Sequence, residues 1–321
     1  MEAPARTTPV AVGDPPSYGD AMSHTPDEPL PVRGRDNDDR TFAHPTAAEL
    51  AERVRRLGSD EWIVVDRVPE MPHDVIQAAS DGTTLEVSYR IGDEPWREAH
   101  LGPDAAAEVF VAWAGDEPGW EGDHPWAEAA WWQPEPVPEP DPAAAAETRE
   151  LAARYLVEGY LPFDRMVRQL QDMSEADPPI TAAQASVILA PMWRARVAEQ
   201  ADWGTTDCDR ITAAFAELDR NGIVARERFS CCQNCGTHEI WEEAGPDTRG
   251  YAFFHMQDAE TAVDGGLYLS YGSRSGDADE AVAIGHEVVK TLGAHGLRTE
   301  WDGSVRTRVL ITDLDWQKRL P

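Results

Sequence analysis

Positive charge is scarce in this chain. Against 59 Asp and Glu stand 28 Lys and Arg, a formal net charge of −31 over 321 residues. A field of that sign repels phosphate backbones and anionic headgroups, so neither nucleic acid nor a membrane surface is expected as a partner. Long apolar runs are missing too, and no stretch approaches the ~18 residues of a membrane span. The opening residues MEAPARTTPVAVGDPPSYGDAMS lack the basic segment and following apolar segment of a secretory leader, which makes a cytoplasmic location the expectation. The glycine signatures of common catalytic folds are absent: there is no GxSxG, no Walker-type loop and no GxGxxG. His286-Glu287 opens an HE pair, but Lys290 stands where HExxH requires its second histidine. An enzyme is therefore the less favoured class.

What is present suits a folded protein of about two domains, with 41% hydrophobic residues. The expected organisation is α+β throughout. Residues 1–40 are rich in Pro, Gly, Asp and Ser without apolar periodicity, and read as a disordered tail. Residues 41–132 read as a small α-β-β-β-α domain. Its first helix is capped by Thr46 with Glu49 three residues on and closed by Gly58. Strands follow over 61–68, 74–80 and 84–92, and a second helix runs from Pro103 towards Trp113. This order of elements resembles small chaperone-like α+β domains related to type III secretion chaperones. Five tryptophans crowd its end (Trp113, Trp120, Trp126, Trp131 and Trp132) and are expected chiefly to close the core, with an exposed contact surface as the alternative.

Residues 133–146, with proline at every second or third position, read as an extended linker. From 147 to 321 the pattern is a helical lead-in of four segments, with a kink or break at Pro191, followed by an α+β domain. Residues 41–140 carry 6 Arg and 21 Asp or Glu, whereas 141–321 carry 18 Lys or Arg and 30 Asp or Glu. The N-terminal half is the more acidic per residue, and is the half expected to recognise a protein partner with a cationic surface.

The chemistry-bearing segment is RFSCCQNCGTHEIWEE, residues 228–243. Cysteine is limited to four positions, Cys208, Cys231, Cys232 and Cys235, and three of them fall within five residues. That spacing is unlike a secreted disulfide framework. Ser230 and Gln233 match a capping box, which places Cys231 and Cys232 in a first helical turn, with Cys232 and Cys235 on one face and Cys231 pointing elsewhere. Three readings follow. The thiols are small buried core residues; or Cys231, Cys232 and Cys235 bind zinc with His238 as the best local fourth ligand and Cys208 or His255 as others; or Cys232 is a redox nucleophile that Cys235 resolves. CxxCG resembles half of a zinc-ribbon knuckle whose second CxxC is missing. The redox arrangement is similar to thioredoxin-like proteins, but from Asp247 to Leu320 there is no proline to supply their cis-proline. The favoured reading is a non-enzymatic interaction module whose cysteine cluster is structural, either as buried thiols or around zinc, so the expected cofactor is none or zinc.

WGTTDCDRITAAFAELDRNGIVARERFSCCQNCGTHEI resembles an uncharacterised bacterial family of unknown function with a Thr-Asp-x-x-Arg helix and a CCxxCG element. RGYAFFHMQDAE, LYLSYG, GLRTEWDG and LITDLDWQKR are similar to the same family, which would span about residues 146–321. The resemblance implies one domain and brings no activity with it.

Overall fold

The computed structural model describes residues 27–133 and 136–321. Most of the expected tail, residues 1–26, lies outside the described residues, but its last part is ordered. β1 (Val32–Asp36) and β2 (Thr41–Ala43) form an antiparallel hairpin. The Asp36 carboxylate accepts from the N–H groups of Asp38 and Arg40 at 3.0 and 3.1 Å, closing its turn. Leu30 and Val32 are buried. A short hairpin between Pro-rich flanks carries too few apolar residues to show a period, which is why composition alone read it as tail.

α1 (Ala47–Arg55) has the expected Thr46–Glu49 capping box, and its C-cap is Arg56 rather than a left-handed Gly58. β3 (Trp62–Arg67), β4 (Val75–Ser80), β5 (Leu85–Arg90), β6 (Arg97–Leu101) and β7 (Ala127–Glu128) complete a seven-stranded sheet ordered β2-β1-β3-β4-β5-β6-β7. α2 (Pro103–Ala114) has Pro103 in its first turn and packs beside α1, joined by an Arg55–Asp104 ion pair of 2.8 Å. The α-β-β-β-α order is thus corrected to a sheet with four more strands. β6 reads REAHL and β7 has two residues, so neither advertises itself by hydrophobicity. Of the five clustered tryptophans only Trp113 is buried; Trp131 is 54% exposed, and Trp120 meets Trp126 edge-on.

The chain divides into two compact units. Residues 66–75, 89–96 and 129–321 group into the second, and the remaining described residues form the first. In the second, α3 (Pro142–Glu158) begins inside the stretch read as linker, because Asp141 caps it through the N–H groups of Ala143 and Ala144 and Pro142 suits the first helical position. α4 (Phe163–Asp172) and α5 (Ala182–Ala201) pack with it around Leu156, Met166, Leu170, Leu189 and Trp193. α5 runs unbroken through Pro191, whose side is exposed while Ile188, Leu189 and Trp193 bury theirs.

α6 (Asp207–Arg220) ends at Asn221 and left-handed Gly222, as its sequence predicts. β8 (Ile223–Arg226), α7 (Gln233–Glu239) with a short 3-10 turn, and β9 (Gly250–Phe253) form a parallel crossover unit. α8 (Met256–Ala262) follows with His255 as its cap. β10 (Gly266–Ser273), α9 (Ala278–Ala294), β11 (Arg298–Glu300) and β12 (Val309–Thr312) complete a five-stranded sheet ordered β11-β12-β10-β9-β8. One set of alternating residues, with Ala252, Leu267 and Leu269, joins a core that includes Phe215, Ile284 and Val288 of α6 and α9. The other set, Val224, Tyr251 and Phe253, packs with Ile240 and Trp241 of the α7 segment.

The C-terminal residues bind the helical layer to this sheet. Trp316 Nε1 donates to the Val157 carbonyl at 3.0 Å, Lys318 Nζ reaches Glu227 at 2.7 Å, and Leu320 is buried in the α3–α5 core. Gly159, at φ 75°, admits this strap: a Cβ there would lie 2.7 Å from the Lys318 carbonyl oxygen.

Candidate metal centre

The three clustered cysteines follow the C-terminal end of β8, where a parallel crossover leaves its connecting loop free to present side chains. Two backbone bonds stitch that loop to the start of α8. Phe229 N–H donates to the Phe254 carbonyl at 2.8 Å, and Met256 N–H to the Ser230 carbonyl at 3.1 Å. Arg228 and Ser230 hold φ of 47° and 62°, left-handed conformations that cost non-glycine residues on the order of 1 kcal/mol each. Surrounding contacts hold them there. Arg228 reaches Glu158 at 3.2 Å and lies over the Tyr160 ring, while Glu227 accepts from Tyr160 at 2.7 Å.

This turn overrides the expected capping box. α7 opens at Gln233 with Cys232 as its N-cap and no side-chain cap bond. Cys231 and Cys232 are therefore outside the helix, and Cys231 does not point away. The sulfurs of Cys231, Cys232 and Cys235 all lie within 4.8 Å of one another. Gly236 rests on the Phe253 ring and so seats the helix that carries Cys235.

Cys231 is exposed, and Cys232 and Cys235 are half-buried. The reading of these three as buried packing residues is corrected accordingly. It describes Cys208, which is 2% exposed in the α6 core and whose thiol burial pushes up to about 12. In the cluster the Cys232 thiol lies below its ordinary value, because the Cys235 N–H, the Cys235 and Cys231 side chains and the Asn234 N–H stabilise its thiolate. Cys235 is pushed up to about 11, since its proton serves Cys231 and then Cys232, and their charge opposes its own. Negative charges on all three sulfurs at this separation repel one another, and a cation among them would offset that repulsion.

The structure does not bring the proposed fourth ligands to the sulfurs. His238 is exposed on α7 and outside the group, and Cys208 lies in the core. His255 is held elsewhere, with Nδ1 accepting from the Asp258 N–H at 3.3 Å and Nε2 3.0 Å from the Asp258 carboxylate. Arg308 pairs with that carboxylate at 2.8 Å. Burial holds the His255 imidazole below its usual range, and Arg308 supplies the positive charge that Asp258 needs. The HE pair is structural as well: Glu287 is clamped by Arg249, and His286 stacks edge-on against Trp301. The residues missed from sequence were Arg228 and Ser230. Their signal would have been two non-glycine turn positions within the three residues before Cys231, which composition does not reveal.

A family model described as a domain of unknown function (DUF6891) matches residues 141–320. The chain belongs to this family. The DUF6891 domain covers α3 to the C-terminal strap and so contains the whole cysteine centre. No curated protein and no solved structure matches the chain. The likeness of the first unit to secretion chaperones therefore has only its element order behind it, and that order is corrected above. No helix among the described residues is long and apolar enough to cross a membrane.

Proposed function

We propose that this DUF6891 protein is a non-enzymatic interaction module built around a surface metal centre, in which Cys231, Cys232 and Cys235 hold one ion as thiolates. The observation that carries the reading is the convergence of the three sulfurs within 4.8 Å, on a loop whose residues just before the cysteines are tied to the segment that opens α8. Thiolates bound to one zinc at about 2.3 Å are about 3.8 Å apart in a tetrahedron, so ordinary side-chain adjustment brings the three sulfurs to bonding distance of one ion. Metal binding would displace the shared thiol protons and fix the strained loop, a structural role of the kind that couples binding to local order. The reading requires a reducing, cytoplasmic setting that keeps the thiols free. Partner recognition is assigned to the first unit, and the acidic balance of residues 41–140 supports a basic protein surface as its complement.

A second reading rests on the divergent thiols. Cys232 is below its ordinary value and Cys235 is raised to about 11, the division that a nucleophile and a resolving thiol would show. Metal content and thiol titration on full-length protein purified without chelator separate the two. About one zinc per chain, with cluster thiols that react only after chelation, supports the metal centre. Metal-free protein with a Cys232 thiol that reacts fast below neutral pH sinks it in favour of the dithiol.

A further inference from the structure

The donor set says more than that a metal binds. Among the described residues the group of converging ligand atoms consists of three sulfurs, with no imidazole or carboxylate joining them within 4.8 Å. Zinc in a structural site completes a tetrahedron of four protein ligands, and His238, the nearest nitrogen in sequence, stays exposed outside the group. Three thiolates about one ion at about 2.3 Å lie about 4.0 Å apart in a plane, within the observed convergence. Soft thiolate donors select soft closed-shell ions, and Cu(I) accepts three-coordination without a fourth ligand. Each sulfur also has its own support. The left-handed turn at Arg228 and Ser230 delivers Cys231 and Cys232, and Gly236 seated on Phe253 delivers Cys235. The exposure of Cys231 lets water solvate the excess negative charge of such a complex.

We infer that Cys231, Cys232 and Cys235 form a sulfur-only, three-coordinate site for one Cu(I) ion, with His238 taking no part. This rests on the metal reading above. Binding exchanges thiol protons for the ion and moves no electron, so copper enters and stays as Cu(I).

The test is anaerobic transfer of Cu(I) from its bicinchoninate complex to the full-length chain, followed by X-ray absorption. One copper per chain is expected, with a shell of three sulfurs. Retention should fall at least tenfold in each of Cys231→Ser, Cys232→Ser and Cys235→Ser and stay unchanged in His238→Ala. The absorption measurement on the unaltered protein reads the shell even where a variant fails to fold. A two-sulfur shell indifferent to one cysteine, or a nitrogen ligand lost in His238→Ala, overturns the inference. Retention of zinc but not of Cu(I) overturns it while leaving the metal centre standing, and retention of neither overturns both.

Discussion

Gly236 lies so close to Phe253 that a Cβ on the glycine would fall 2.5 Å from a ring carbon. Phe253 is fully buried in β9, on the sheet face that α7 covers, so the ring cannot retreat without disturbing that core. The contact ties the position of Cys235 to the packing of the sheet. Gly236→Ala should cost about 1–3 kcal/mol through overpacking. Chemical denaturation reads the loss, and it should come with weaker metal retention; unaltered stability would show that α7 is not seated by this contact.

The four thiols should react in two classes. Cys208, buried and raised to about 12, stays silent in the native protein, whereas the exposed and half-buried Cys231, Cys232 and Cys235 react when metal-free. Titration with a chromogenic disulfide should find a fast group that disappears in the triple serine variant and one thiol released on denaturation. Rapid native reaction of Cys208 would contradict its place in the core.

Below neutral pH, His255 should lower stability. Its folded value lies below the ordinary 6.5 because burial disfavours the charged imidazole, so the unfolded chain binds its proton first. The contribution is complete above the unfolded value and is lost as pH falls through the folded one, with a slope of at most about 1.4 kcal/mol per pH unit. His255→Asn, which preserves a capping side chain, should flatten the decline measured by denaturant unfolding between pH 7 and 5. An equal slope in both proteins would assign the effect to other groups.

Removal of residues 316–321 should weaken the α3–α5 layer. It deletes the buried Trp316 and Leu320 together with the Lys318–Glu227 pair. A loss of about 3 kcal/mol or more is expected from large side chains leaving a core. Hydrogen exchange should locate the new mobility in α3 and α5, and protection equal to that of the intact chain would show the strap to be dispensable.

Much of this architecture is legible along the chain because its causes are local. Thr46 and Glu49 cap α1 with groups three residues apart, Pro103 opens α2, and Asn221-Gly222 closes α6, each through short-range hydrogen bonds or backbone preference. Elements without a local signature are not legible in this way. β1, β6 and β7 owe their existence to neighbouring strands, and α5 passes Pro191 because Leu189 and Trp193 are anchored in a core that outweighs one missing hydrogen bond.

The cysteine centre divides along the same line. Residue type and spacing alone decide that three thiols lie within five positions and so offer soft-ligand chemistry. Which of them meet, and which histidines do not, depends on left-handed Arg228 and Ser230 and on the ring beneath Gly236. Those conformations are held by Glu158, Tyr160, Phe254 and Met256, which reach the loop from α3 and the residues after it, and from the end of β9 to the first residue of α8. A turn that is locally unfavourable exists only where distant contacts outweigh its cost, so the convergence of the sulfurs follows from the folded chain and not from the CCxxC pattern.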